Sequence, residues 1–246
     1  MLKGKNAIVT GSRKGIGKAI VEVFAKNGCN IWACARQEDK TFEKDMKEIA
    51  EKYHVEIKPV YFDLKSLDEV KTGFKCIYQE RKNIDILVNN AGIVHANLFQ
   101  MTTMEQIQEI YQVNTFAMMQ LTQLALKVMS RTKSGSIINI ASIAGQDANP
   151  TNCIYGSSKA AIISFTKILA SEVATNDIRV NAIAPGPTNT EMVRVVCDKV
   201  GDALLNNCAM GRLAETEEIA NVALFLASDM SSFINGQVIR VDGRAK

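Results

Sequence analysis

The sequence has no Cys-x-x-Cys pair and only two histidines, His54 and His95. Its six cysteines are scattered at positions 29, 34, 76, 153, 197 and 208. A metal centre needs clustered Cys and His ligands, so none is expected. Scattered cysteines in a chain of this length fit small buried hydrophobes in a reducing cytosol, not a disulfide scaffold. No apolar run reaches the roughly 18 residues of a membrane span. A signal-peptide layout is also missing, because a strand-like run, Asn6 to Thr10, begins almost at once. Nor is there an excess of one charge. Lys+Arg number 29 and Asp+Glu 26, a net charge of +3, so no polybasic stripe invites nucleic acid. Repeats, low-complexity tracts and linkers are absent. What remains is 246 residues, 47% hydrophobic and 22% charged, which suits one soluble globular domain.

Short apolar runs alternate with segments of helical period. The spacing predicts strands over 6–10, 30–35, 56–62, 84–89, 136–140, 179–184 and 237–241. Several are nearly continuous in apolar residues, as strands buried on both faces must be. Helices are expected over about 16–27, 39–53, 66–81, 103–131, 155–175, 191–206 and 215–228. This alternation predicts an α/β fold, a single doubly wound, Rossmann-like domain with a seven-stranded parallel sheet flanked by helices. Such sheets bind ligands beyond the carboxyl ends of their strands. The residues just after each strand therefore carry the functional reading.

After the first strand come Thr10, Gly11, Ser12, Arg13, Lys14, Gly15, Ile16 and Gly17. Glycines permit a tight turn and close backbone approach, and the helix that follows offers N–H donors to a diphosphate. The second strand ends Cys34-Ala35-Arg36, with no acid at Ala35 to hold a ribose 2′-hydroxyl. Arg13, Lys14 and Arg36 instead suit a 2′-phosphate, which predicts NADP(H) over NAD(H). Asp63 and Leu64 follow strand three, where a carboxylate could accept from an adenine amine. Asn89, Asn90, Ala91 and Gly92 follow strand four, and small residues there let a cofactor lie against backbone.

Tyr155 and Lys159 stand at i and i+4 on the fifth predicted helix, on one face. An ammonium beside a tyrosine is expected to lower the hydroxyl pKa, which suits a general acid/base acting on an alcohol or carbonyl oxygen. Ser142 closes strand five and points toward the same place. Asn114 lies in the long fourth helix.

On these motifs the chain resembles the short-chain dehydrogenases/reductases over nearly its whole length. Thr10–Gly17 is similar to that family's TGxxxGxG stretch, Asn89–Gly92 to its NNAG, and Pro185-Gly186 to its PG motif. Asn114, Ser142, Tyr155 and Lys159 resemble its Asn-Ser-Tyr-Lys tetrad. The resemblance implies that Tyr155 protonates the carbonyl oxygen, Lys159 lowers the tyrosine pKa and binds the nicotinamide ribose, and Ser142 holds the substrate oxygen. It implies that Asn114 positions a water leading to Lys159. Thr188 backbone and the Thr190 hydroxyl would orient the nicotinamide.

Within the family, Asn181–Met192 most resembles the 3-oxoacyl-(acyl-carrier-protein) reductases. That likeness implies reduction of 3-oxoacyl thioesters by NADPH, with a cytoplasmic homotetramer built on the long fourth and fifth helices and Phe233–Lys246. The alternatives are a sugar, polyol or other secondary-alcohol dehydrogenase, and a non-catalytic NADP-binding sensor or scaffold. The stretch Ile93–Leu98 departs from the acyl reductases, lacking their Thr and acidic residue. Lys127, Arg131 and Lys133 offer a basic patch for an acidic carrier protein, or an ordinary solvated helix end. His95 could line the substrate site, a partly exposed loop histidine being the plainer reading. A cofactor half of about 1–135, a catalytic half of about 136–246 and a lid over about 187–210 complete the expectations.

Overall fold

The apolar runs become strands β1 (Asn6–Thr10), β2 (Asn30–Ala35), β3 (Ile57–Tyr61), β4 (Ile86–Asn89), β5 (Gly135–Ile140), β6 (Ile178–Pro185) and β7 (Val238–Val241). The structure is a computed structural model and describes residues 1–80, 82–148, 150–191, 193 and 208–244. All seven strands lie parallel in one sheet, in the order β3-β2-β1-β4-β5-β6-β7. Successive residues of a strand face opposite sides. Thus Ala7 and Val9 of β1 enter one hydrophobic core and Ile8 enters the other. Both faces need apolar residues, which is why the strands read as continuous runs. Pro59 lacks an N–H to donate and sits in β3, at the sheet edge.

The helices are α1 (Gly15–Lys26), α2 (Lys40–Tyr53), α3 (Leu67–Gln79), α4 (Met104–Tyr111), α5 (Ala117–Thr132), α6 (Cys153–Val173) and α7 (Thr216–Ala227). One core joins the sheet to α1, α2 and α7 through Ile20, Phe24, Phe42, Met46 and Ile219. The other joins it to α3, α5 and α6 through Phe74, Ile77, Leu121, Met129 and Leu169. Each such side chain stabilises the fold by about 1.5–3 kcal/mol on burial. No described helix is long and apolar enough to cross a membrane.

Side chains mark where helices begin. Asp39 accepts from Thr41 and Phe42 N–H at α2, Ser66 from Glu69 N–H at α3, and Thr103 from Gln106 N–H at α4. At α7 the cap is Glu215, the first residue of the expected 215–228 segment, in a reciprocal box with Glu218. The expected helix over 103–131 is interrupted. A π-helical turn, Gln112–Phe116, separates α4 from α5 and contains Asn114. Apart from residues 191 and 193, the expected helix over 191–206 lies outside the described residues, as does most of the lid over 187–210.

Strand order reverses at β1, which has β2 on one side and β4 on the other. Ligand crevices open at such a point, beyond the carboxyl ends.

Candidate active site

A cleft of about 1740 Å³ opens there, lined by Gly11, Arg13, Lys14, Gly15 and Ile16 on one wall and Ser142, Tyr155 and Lys159 on the other. Asn90, Ala91 and Gly92 form its back, and Pro185, Gly186, Thr188 and Thr190 its far side. Hydrogen bonds lock the β1 and β4 loops together. Thr10 Oγ1 accepts from the N–H of Asn90 and Ala91, both at 3.0 Å. Asn90 Nδ2 donates to Thr10 O at 2.8 Å and Gly11 O at 3.3 Å.

The start of α1 differs from those of α2, α3 and α4. Its N-cap residue, Lys14, makes no side-chain hydrogen bond to the helix end. The first N–H groups of α1 are left to a ligand, and the positive end of the helix dipole favours an anion. Gly17 allows the loop to fold back on this turn, because a Cβ there would stand 2.1 Å from Gly11 O. Gly11 itself has φ +68°, a backbone region open to glycine. This cradle fits the diphosphate of a dinucleotide.

The three cations of this wall are not equivalent. Arg13 Nη1 pairs with Asp39 Oδ2 at 3.1 Å, and Lys14 Nζ pairs with Glu191. Arg36 follows β2, is exposed, and makes no ion pair among the described residues. Ala35 precedes it with no carboxylate.

On the opposite wall, Ser142 follows β5, and its Oγ accepts from Ala144 N–H at 3.1 Å. Tyr155 and Lys159 share a face of α6. Burial pulls the Lys159 ammonium down to about 8. Its Nζ donates to Ile140 O at 2.9 Å and lies 5.8 Å from the Tyr155 ring centroid. Here the expectation of a lowered tyrosine pKa is corrected. Burial pushes the Tyr155 hydroxyl above its ordinary value, and a hydrogen bond with Ser142 opposes this in part. The lysine head group is drawn to the Ile140 carbonyl, so the i, i+4 spacing alone does not deliver the ammonium to the phenol.

Asn114 lies just behind this wall and does not line the cleft. Its Oδ1 accepts from Ile93 N–H at 2.8 Å, and its Nδ2 donates to Ile93 O at 2.9 Å and Ser158 Oγ at 3.2 Å. The side chain is a clamp between the β4 loop and α6. Four residues expected to touch cofactor also lie outside the lining: Ser12, Gly17, Asp63 and Leu64. Ser12 is buried and donates to Val9 O at 2.7 Å. Asp63 Oδ1 accepts from Lys65 N–H at 2.9 Å, and Leu64 O accepts from Gln112 Nε2 at 3.1 Å. His95 sits between two lining residues, Val94 and Ala96, without lining the cleft. Its Nε2 is buried with no hydrogen-bond partner among the described residues.

Sequence reasoning missed Asp147, Cys208, Arg240 and Arg244, all of which line the cleft. Asp147 was open to discovery, since it stands in the loop after β5. Arg240 lies within β7 and carries no local signal.

Comparison with known proteins agrees with this geometry. The pattern of the Enoyl-(Acyl carrier protein) reductase family matches residues 11–243. A 3alpha-hydroxysteroid dehydrogenase of Mediterraneibacter gnavus is 39% identical over 100% of this chain and 98% of its own length. A 3-oxoacyl-(acyl-carrier-protein) reductase of Aquifex aeolicus is 38% identical over 98% of this chain and 97% of its own. A solved short chain dehydrogenase/reductase family protein superposes with a TM-score of 0.86 at 32% identity, covering 99% of this chain and 97% of that one. With its cradle, its parallel sheet and these relatives, the chain belongs to the short-chain dehydrogenase/reductase family, oxidoreductases that act on CH–OH groups with a nicotinamide cofactor.

Proposed function

We propose that the protein is an NADPH-dependent carbonyl reductase acting on 3-oxoacyl thioesters carried on acyl-carrier protein. The observation that carries the reductase reading is the set Ser142, Tyr155 and Lys159 facing an uncapped helix end across one cleft. Bound against that helix end, the cofactor supplies hydride. Ser142 donates a hydrogen bond to the substrate carbonyl oxygen and orients it toward Tyr155. The Tyr155 O–H bond breaks as the new O–H bond to that oxygen forms. Lys159, with a value of about 8, keeps its proton at neutral pH. Its positive charge, held at the Ile140 carbonyl 5.8 Å from the Tyr155 ring centroid, adds only a long-range attraction to the tyrosinate left behind. Asn114 holds the Ile93 backbone against α6 and so fixes the distance between the β4 loop and Lys159.

Preference for NADPH is supported by Ala35, where no carboxylate waits for a 2′-hydroxyl, and by the Arg36 guanidinium beside it, which makes no ion pair among the described residues. The thioester reading is supported by several relatives named as 3-oxoacyl-(acyl-carrier-protein) reductases at 34–38% identity. A second reading, a hydroxysteroid dehydrogenase, is favoured by the 39% identity to the steroid enzyme over the full chain. Val94, Ala144, Ala148 and Pro150 line the cleft and suit either an acyl chain or a steroid.

We assign the cofactor half to about residues 1–135 and the catalytic half to the remainder, in a cytoplasmic homotetramer. Phe116 on the π-turn and Ile168 on α6 are half exposed or more, as an assembly face would require. The test is oxidation of NADPH, with NADH alongside, in the presence of acetoacetyl-(acyl-carrier protein) or a 3-oxosteroid. Turnover of the thioester with NADPH is the expected result. Turnover of the steroid alone replaces the thioester reading, and turnover of neither refutes both.

A further inference from the structure

We propose that Asp147 and Arg240 are positioning residues that strap the loop after Ser142 to the edge strand β7 and thereby set the substrate side of the cleft. The loop over 143–148 has two flanks. One lies on α6. A Cβ at Gly145 would come within 2.8 Å of Ala160 N and of Lys159 C, so the loop backbone rests on the turn that carries Lys159. The other flank is tied across 93 residues of sequence. Arg240 Nη1 donates to Asp147 Oδ1 at 2.7 Å and Nη2 to Asp147 Oδ2 at 2.9 Å. This is the two-pronged geometry in which a guanidinium holds a carboxylate in one orientation.

Arg240 is itself fixed. Its Nε donates to Asp242 Oδ2 at 3.0 Å and its Nη2 to the same oxygen at 2.6 Å. The two carboxylates hold its pKa above the ordinary arginine value. An isolated surface pair adds little, whereas a two-pronged pair within a network is the favourable case. Side chains about one third exposed, 33% for Arg240 and 34% for Asp147, leave the pair open to the cleft it lines.

The loop itself is held by short-range bonds. Gly145 N–H donates to Ser142 O at 3.0 Å, and Gln146 and Asp147 N–H donate to Ile143 O at 2.8 Å. These three amides report whether the loop stays closed. Without the strap, the segment from Ile143 to Ala148 keeps only its α6 flank, and the wall facing the substrate gives way. The effect on substrate rests on the reductase reading; the strap does not.

Hydrogen exchange on the purified protein therefore comes first, with Arg240→Met, Asp147→Asn and Arg240→Lys. The first two should speed exchange at Gly145, Gln146 and Asp147 by about fivefold, the upper range for such a pair. Arg240→Lys keeps the charge without the fork and should recover part of the protection. Unchanged exchange in both single variants overturns the strap. Acceleration spread equally over β5 and β6 also overturns it, because the pair would then be a general stability contact. Kinetics with NADPH and acetoacetyl-coenzyme A follow. The KM for the thioester should rise about fivefold in Arg240→Met, with the dissociation constant for NADPH unchanged. An unchanged KM beside faster loop exchange overturns the substrate role. If the wild type reduces no carbonyl compound, the reductase reading fails, and the exchange result still decides the strap.

Discussion

In the proposed reductase the β1–α1 wall of the cleft offers backbone N–H groups and exposed cations, whereas the β5–α6 wall offers half-buried Ser142 and Tyr155 around the buried Lys159. On the first wall, shape is set by Gly11 and Gly17, whose missing side chains let the backbone close in. Arg13, Lys14 and Arg36 sit in water, where charges are screened and individual contacts are weak. On the second wall, Lys159 is only 4% exposed and its proton affinity has shifted. Binding and proton transfer are thus assigned to different physical environments. Phosphate recognition gains from donors that need no reorganisation, and proton transfer gains from a low dielectric that moves pKa values. Changes on the buried wall should therefore alter rate and stability, and changes on the exposed wall should alter cofactor choice by smaller factors.

The largest effect is expected at the buried wall. Tyr155→Phe removes the proton donor and should lower kcat by about 10³-fold, within the range for a general acid. NADPH affinity, measured by fluorescence titration, should stay unchanged. Retained turnover would separate the proton chemistry from this side chain and break the contrast between the walls.

Lys159 gives the next effect, and its sign follows from its lowered value. Between pH 8 and 10.5 the unfolded chain holds this proton and the folded chain releases it, so folding becomes more favourable as pH rises. Below pH 8 both states are charged and the desolvation cost is carried in full. Lys159→Met abolishes this dependence. The stability of the wild type minus that of Lys159→Met should rise by on the order of 3 kcal/mol across that window. Urea titrations at stepped pH measure it. A flat difference would mean that the ammonium is solvated within the cleft.

The strands were legible because a parallel sheet covered on both faces demands nearly continuous apolar residues, as in Ile86–Val88 of β4 and Ile31–Ala35 of β2. The cradle was legible because its three glycines, Gly11, Gly15 and Gly17, fall within one short stretch of sequence. Partners distant in sequence were not. Asp39 reads as the start of a helix, and Oδ1 does serve α2, but its second oxygen turns to Arg13. The π-turn around Asn114 was hidden because one inserted residue hardly disturbs an apolar period over 103–131. The direction of the Tyr155 shift was missed for a similar reason. Spacing places two Cβ atoms on one face, and the long lysine side chain then takes its head group to Ile140 O.

The exposed wall should respond more modestly. Arg36→Ala removes a cation with no partner among the described residues. One charge-assisted hydrogen bond contributes about 1.5–3 kcal/mol, so NADPH affinity should fall by about tenfold or more while NADH affinity holds. Equal losses for both cofactors would place Arg36 on the diphosphate and remove its part in discrimination.

Asp39→Asn should produce the smallest change, and in the opposite direction. The Asp39 carboxylate does two tasks at once, accepting from Thr41 and Phe42 N–H at 2.9 and 3.2 Å and pairing with Arg13 at 3.1 Å. An asparagine keeps the helix cap, since its carbonyl oxygen accepts the same bonds. It withdraws the negative charge that competes with a 2′-phosphate for Arg13. The pair is partly exposed, with side chains 47% and 26% accessible, so its strength is that of a surface ion pair. Releasing it is worth about 0.2–1 kcal/mol. NADPH should bind up to about fivefold tighter in Asp39→Asn, and NADH should be unaffected. The gain should shrink at high salt, where screening already loosens the pair. If NADPH bound more weakly, Asp39 would be orienting Arg13 toward the phosphate, and the exposed wall would share the preorganisation of the buried one.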